Sequence, residues 1–180
     1  MSATLESYDV TSVDRSEVLR YLGYSGQAMT GELEARIDDT VERCLGLASC
    51  RGVWRVFDIA SREERADGTF VARLEGTALE LSGESMRENL GADVGGEAGP
   101  DATAVGVMAV TVGMGVEREL RRLSLTDRVG HVIFDAAGTT VVERAADACE
   151  ASLVAEAARR GLHTSYRFSP GYGDLPLEVQ

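Results

Sequence analysis

The sequence predicts an α+β fold: a twisted, largely antiparallel sheet with N-terminal helices and a long C-terminal helix packed on it. Three observations carry this reading. Apolar residues recur at helical spacing up to Ala48 and again beyond Gly113. The stretch between them shows the alternation of half-buried strands. The elements do not alternate strand with helix, as a parallel sheet built from βαβ units requires.

Taken in order, residues 1–12 are polar and read as an arm or an edge strand. Asp14 starts a short helix. It can cap, Glu17 stands at the third helical position, Val13 and Val18 fit a hydrophobic staple, and Gly23 ends the element. A second helix is predicted over 31–48, with Leu33, Ile37, Val41, Cys44, Leu45 and Ala48 at helical spacing. Strands are predicted at 53–59, 70–75 and 77–81, the first two separated by a charged hairpin turn over 61–68, and a short helix follows at 85–90. The glycine-rich loop 91–101 is too short to act as a domain linker, so the chain reads as one domain over 1–180.

The run 104–112 is almost wholly apolar and predicts a central strand covered on both faces. It leads through Gly113-Met114-Gly115 into a helix near 116–123. That turn lacks the third glycine of a dinucleotide fingerprint, because Arg118 stands there. Thr126 or Asp127 is expected to cap a helix ending at Gly138, with Val129, Val132, Ile133 and Ala136 inward. A separate long helix is then predicted over 140–160. Thr140-Val141-Val142-Glu143 reads as its capping box, Ala145, Cys149, Leu153 and Ala157 form its buried stripe, and Gly161 ends it.

Composition narrows the function classes. The 180 residues carry 30 acidic and 18 basic side chains, a formal net charge of −12. Nucleic-acid binding and docking on anionic membranes both want a basic face, so neither partner is expected. The odd cysteine count, with Cys44, Cys50 and Cys149 scattered, predicts buried thiols and no disulfide framework. Only His131 and His163 are available as histidine ligands, so no metal site is expected. The first residues show no signal region and no apolar run is long enough to span a bilayer, so the cytoplasm is the expected location. No Gly-x-Ser-x-Gly elbow, Walker loop or His-Glu-x-x-His is present, and Ser169 has no motif to make it a nucleophile. No catalytic residue is assigned.

The most informative segment is Arg167-Phe168-Ser169-Pro170-Gly171-Tyr172-Gly173-Asp174-Leu175-Pro176-Leu177. Proline fixes φ and glycine accepts positive φ, so this backbone is shaped as well as exposed. Such a loop can aim the Arg167 guanidinium and the Tyr172 ring at one molecule, with backbone N–H groups beside Gly171 available. The plain alternative is a surface double turn. Asp174, and more distantly Glu117, can meet an ammonium group, although Asp174 is also a natural turn former.

Arg-x-x-Pro-Gly-Tyr after a long helix resembles the S-adenosylmethionine signature of the activation (reactivation) domain of cobalamin-dependent methionine synthase. The full segment is closer still to small free-standing relatives of that domain, and the resemblance extends from about Asp14 onward. It implies a twisted antiparallel sheet with flanking helices, and Arg167, Pro170, Gly171 and Tyr172 as S-adenosylmethionine contacts. It also implies an acidic contact on the long helix, for which Glu143 is the nearest match, against its reading as a capping residue. The implied function is an accessory subunit, inactive alone. Cobalamin would be held by a partner, a corrinoid-binding methionine synthase subunit. An electron from a flavodoxin-type donor and a methyl group from S-adenosylmethionine would restore methylcobalamin there. Relatives continue with a further strand that closes the ligand pocket, whereas this chain stops at Gln180, so an open pocket is expected. The alternative is a docking or scaffold module for a corrinoid methyltransferase that does not bind S-adenosylmethionine.

Overall fold

Alternating side chains from Cys50 to Glu64 build one 15-residue strand, β2, and the sheet is assembled along it. The computed structural model describes residues 2–91 and 102–179. The edge strand β1 (Thr4–Tyr8) pairs antiparallel with the first part of β2, and β3 (Phe70–Leu74) pairs antiparallel with its later part. β4 (Glu80–Ser82) extends the sheet antiparallel to β3, and β5 (Ala104–Thr111) pairs with β2. The order is β1-β2-β3-β4 with β5 off that path. Helices α1 (Arg15–Tyr21) and α2 (Gly31–Leu47) precede β2, α3 (Glu84–Leu90) follows β4, and α4 (Met114–Thr126) and α5 (Arg128–Arg159) come last. The α+β class read from the sequence is the class observed.

The chain divides into two compact units. The first comprises Met1–Trp54 with Met108–Leu153. Its core joins Cys44 of α2, Cys50 of β2, Val116 and Leu123 of α4, and Phe134, Ala137, Val141 and Ala145 of α5. A neighbouring cluster holds Val18, Ile37, Ile133 and Ala136, with Val13 packed on it as the staple requires. Asp14 caps α1 by accepting from the Ser16 N–H at 2.8 Å. Glu17 does not complete a capping box; its carboxylate takes the Arg20 guanidinium at 2.6 Å. All three cysteines are free and buried, and burial pushes the Cys44 thiol up to about 12.

The second unit comprises Arg55–Val107 with Val154–Gln180. Its core joins Phe70, Ala72 and Leu74 of β3, Leu81 of β4, Met86 of α3 and Leu175 of the C-terminal segment. Arg87 of α3 binds Glu84 and Glu64 at 3.1 Å and donates to the Gly68 carbonyl at 3.0 Å, tying α3 to the β2–β3 turn.

Several sequence expectations are corrected. The first strand of the central block runs to Glu64, so the hairpin turn begins later than expected. Its Arg65 N–H bonds the Thr69 carbonyl at 2.9 Å. The expected strand 77–81 is the shorter β4. None of the residues of β5 is fully buried, and among the described residues the strand pairs only with β2. It is therefore not a central strand covered on both faces; its almost wholly apolar side chains imitate one in sequence. The glycine-rich loop 91–101 lies, from 92 on, outside the described residues.

The largest correction concerns the C-terminal helices. Gly138 does not break the chain, and Arg128–Arg159 form one 32-residue helix. Gly138 is buried, and a Cβ there would lie 3.5 Å from Val116 Cγ1, an ordinary packing distance. Thr140 caps nothing; its hydroxyl donates to the Ala136 carbonyl at 2.9 Å in mid-helix. Without a helix start there, Glu143 has no capping role. Asp127 caps α5 by accepting from the Gly130 N–H at 3.0 Å. Val129 and Val132 are exposed instead of inward, because Gly130, Ile133, Phe134 and Ala137 take the core side. The stripe Ala145, Cys149, Leu153 and Ala157 is buried as expected. The helix ends at Gly161 with the Leu162 N–H on the Ala157 carbonyl at 3.0 Å.

A continuous α5 makes a sharp prediction. Gly138→Ala replaces the poorer helix former, and its new methyl meets only an ordinary contact, so stability should rise by about 0.5–1 kcal/mol. Equilibrium denaturation in urea reads this, and a clear loss of stability would mean that the helix is broken at Gly138.

Candidate functional site

The segment after α5 is built from two consecutive tight turns. Pro170 and Gly171 occupy the middle of the first, and Gly171 has φ +87°, the positive value a type II turn demands of its third residue. The Tyr172 N–H closes it on the Ser169 carbonyl at 3.2 Å. In the second turn Gly173 has φ +57°, and the Leu175 N–H reaches the Tyr172 carbonyl at 3.2 Å. The Gly171 N–H donates to the Leu175 carbonyl at 2.9 Å and joins the two turns. The backbone donors expected to serve a ligand at Gly171 and Tyr172 are therefore already used inside the turn. What the segment offers outward is side chains.

Apolar anchors hold this double turn on both sides. Phe168 packs on the second unit's core before it, and Leu175, 5% exposed, is part of that core after it. Between the anchors the Tyr172 ring stands 70% exposed. Arg167 and Pro170 are half-buried.

The third attachment is Asp174. Gly83, the residue before α3, has φ +111° and no side chain with which to cap the helix. Asp174 supplies the cap from the far end of the sequence: its carboxylate accepts from the Glu84 N–H and, at 3.0 Å, from the Ser85 N–H. The Ser85 hydroxyl foremost, and then these two N–H groups, hold the Asp174 carboxyl below its ordinary value. Asp174 is thus a helix cap and is not left to meet an ammonium group. This partnership was missed from sequence. The available signal was a helix start, Gly83-Glu84-Ser85, with no capping side chain of its own.

A surface concavity of about 390 Å³ adjoins this contact, lined by Asp67, Thr69, Phe70, Ser82, Glu84 and Asp174 together with Gly68 and Gly83. Arg167 and Tyr172 are not among its lining residues. Of the residues singled out in the sequence, Arg167, Pro170, Gly171 and Tyr172 belong to the second unit. Glu143 belongs to the first, exposed on α5. Among the described residues there is no group of three or more His, Cys, Asp or Glu able to hold a metal ion, and no helix long and apolar enough to cross a membrane.

No known family model matches the sequence, and no curated protein matches it. Among solved structures, the chain is similar to the MetH reactivation domain bound to AdoHcy, with a TM-score of 0.59 and 14% sequence identity. The match covers 98% of this chain and 66% of that one, so the chain spans slightly less than two thirds of that structure. At this identity the likeness is one of fold.

The Asp174 cap fixes a pH dependence. Because the native carboxyl is held low, its contribution is present above the ordinary carboxylate value of about 3.9 and is lost as pH falls through the lowered native value. The thermal midpoint of the chain should therefore exceed that of Asp174→Ala at pH 7, and the two should converge as the pH is brought towards 2. A gap that persists unchanged at pH 2 would show that the carboxylate is not the stabilising group. Leu175→Ala, in contrast, should cost about 2–5 kcal/mol at any pH, since it empties a core position.

Proposed function

We propose that this chain is an S-adenosylmethionine-binding reactivation subunit that supports reductive remethylation of cobalamin on a separate corrinoid protein of the methionine synthase type. The observation that carries the reading is the Ser169–Leu175 double turn, found in a chain whose fold is similar to a reactivation domain bound to AdoHcy. The chain has no catalytic residue of its own in this reading, and is inactive without its partner.

The donor set suits the ligand. Arg167 is the group for the amino-acid carboxylate, which a guanidinium takes through a two-pronged hydrogen bond. Tyr172, with an exposed ring on a backbone tied down at both ends, is the group for the adenine face or the sulfonium. Pro170 and Gly171 shape the turn between them, with Gly171 at positive φ and its Cβ position facing Leu177 at 3.3 Å. The acidic contact that the resemblance puts at Glu143 belongs to the other unit and is not part of the site proposed here. S-adenosylmethionine supplies the methyl group and a flavodoxin-type donor the electron, both to cobalamin carried by the partner. The contribution of this chain is position: a held methyl donor turns an encounter of two bodies into a step within one complex. The expected setting is the cytoplasm.

A second reading has its own support. Arg167 and Tyr172 lie outside the lining of the second unit's concavity, and the acidic chain, at −12, suits docking on a basic surface. In that reading the chain is a scaffold for a corrinoid methyltransferase and takes no S-adenosylmethionine.

Calorimetric titration separates the two. S-adenosylmethionine or AdoHcy should bind the full chain, and Arg167→Ala should weaken binding at least roughly tenfold, as expected for loss of a charge-assisted contact. Tyr172→Ala should weaken it by a similar factor, with Tyr172→Phe retaining most of the affinity if the ring face is the contact. An unchanged heat of binding in Arg167→Ala, or no heat with the native chain, contradicts the first reading.

A further inference from the structure

We infer that Asp174 is a positioning residue for the ligand turn: by seating its carboxylate on the first N–H groups of α3, it sets where the Tyr172 ring stands. The inference rests on the ligand reading above and extends it to how that site is held ready.

Tyr172 cannot place itself. Its ring is 70% exposed, and its N–H and carbonyl bond only within the double turn. The ring's place is therefore set by whatever holds the turn. Phe168 and Leu175 fix its two ends on the core, but an apolar anchor resists sliding and tilting only weakly, because its contacts are not directional. The Asp174 carboxylate adds two directional bonds to one rigid object, the start of α3.

The contact is fitted on both sides. A Cβ on Gly83 would lie 2.5 Å from Asp174 Oδ2, and a Cβ on Gly173 would lie 2.5 Å from Ser85 Oγ. Each glycine has positive φ, +111° at Gly83 and +57° at Gly173. Two glycines thus face each other's partners across the same contact, and a side chain at either would be strained by its positive φ and would displace the group it faces. The charged groups around the carboxylate are Glu84 on α3 and Asp67 on the β2–β3 turn, which share its concavity, and Arg87, which neutralises Glu84 at 3.1 Å. The Asp67 carboxylate accepts from the Thr69 N–H at 2.9 Å. Neither neighbouring carboxylate competes for the α3 N–H groups.

The test uses the full chain and two variants, Asp174→Ala and Asp174→Asn, with amide hydrogen exchange and AdoHcy calorimetry on each. In Asp174→Ala the Gly171, Tyr172 and Leu175 amides should exchange roughly tenfold faster, a factor in the range of a lost helix cap, while the α5 amides keep their protection. AdoHcy affinity should fall by a comparable factor with α5 still folded. Asp174→Asn keeps one carbonyl acceptor and should fall between the two, which a general loss of folding would not produce; it also serves should the alanine variant not fold. Unchanged protection of Gly171 and Leu175 in Asp174→Ala overturns the inference, as does AdoHcy binding at native affinity in that variant. If the native chain takes up no AdoHcy, the ligand reading fails, and the exchange data alone decide whether Asp174 holds the turn.

Discussion

The bond between the Asp174 carboxylate and the Glu84 and Ser85 N–H groups joins positions 90 and 89 apart in sequence. It solves two problems together. A helix preceded by glycine starts with orphaned N–H groups, and a terminal segment rich in glycine and proline has little side chain with which to hold itself. Each supplies what the other lacks. Remove the carboxylate and α3 loses its cap, while the double turn keeps only its apolar ends.

In the first unit, small residues do comparable work. Gly138, Ala137, Val141, Ala145 and Cys149 leave α5 a narrow buried stripe, and narrow stripes let helices and strands approach closely. A Cβ on Gly52 of β2 would lie 2.8 Å from the Cys149 sulfur, so that approach depends on glycine as well. The three buried thiols take part as small apolar groups, and burial raises Cys44 and Cys50 away from reactivity.

How much of this is legible in the sequence depends on whether the signal is local. Caps and stops within a few residues of their helix read correctly: Asp14 at α1, Gly23 after it, Gly161 after α5. Signals whose meaning depends on a distant partner misread. Gly138 and Thr140-x-x-Glu143 carry the local marks of a break and a restart, yet Val116 packs on the glycine and the helix runs through. The apolar run of β5 has the composition of a covered strand, but cover is a property of neighbours. At the site, the Pro170-Gly171 turn was readable from φ preferences alone. The loss of its N–H groups to internal bonds was not, because it depends on the second turn folding back. Asp174 looked like a turn former for the same reason: its partner lies in another element.

The functional reading comes down to whether one exposed tyrosine and one half-buried arginine, on a turn clamped to α3 and to the core, meet the same molecule. Mapping amide and side-chain resonances of the full chain during AdoHcy titration asks this most directly. The account predicts shifts concentrated on the Arg167 side chain, the Tyr172 ring and the Pro170–Asp174 backbone. Shifts confined to the concavity around Asp67 and Phe70, or a spectrum that does not change at saturating ligand, would contradict it.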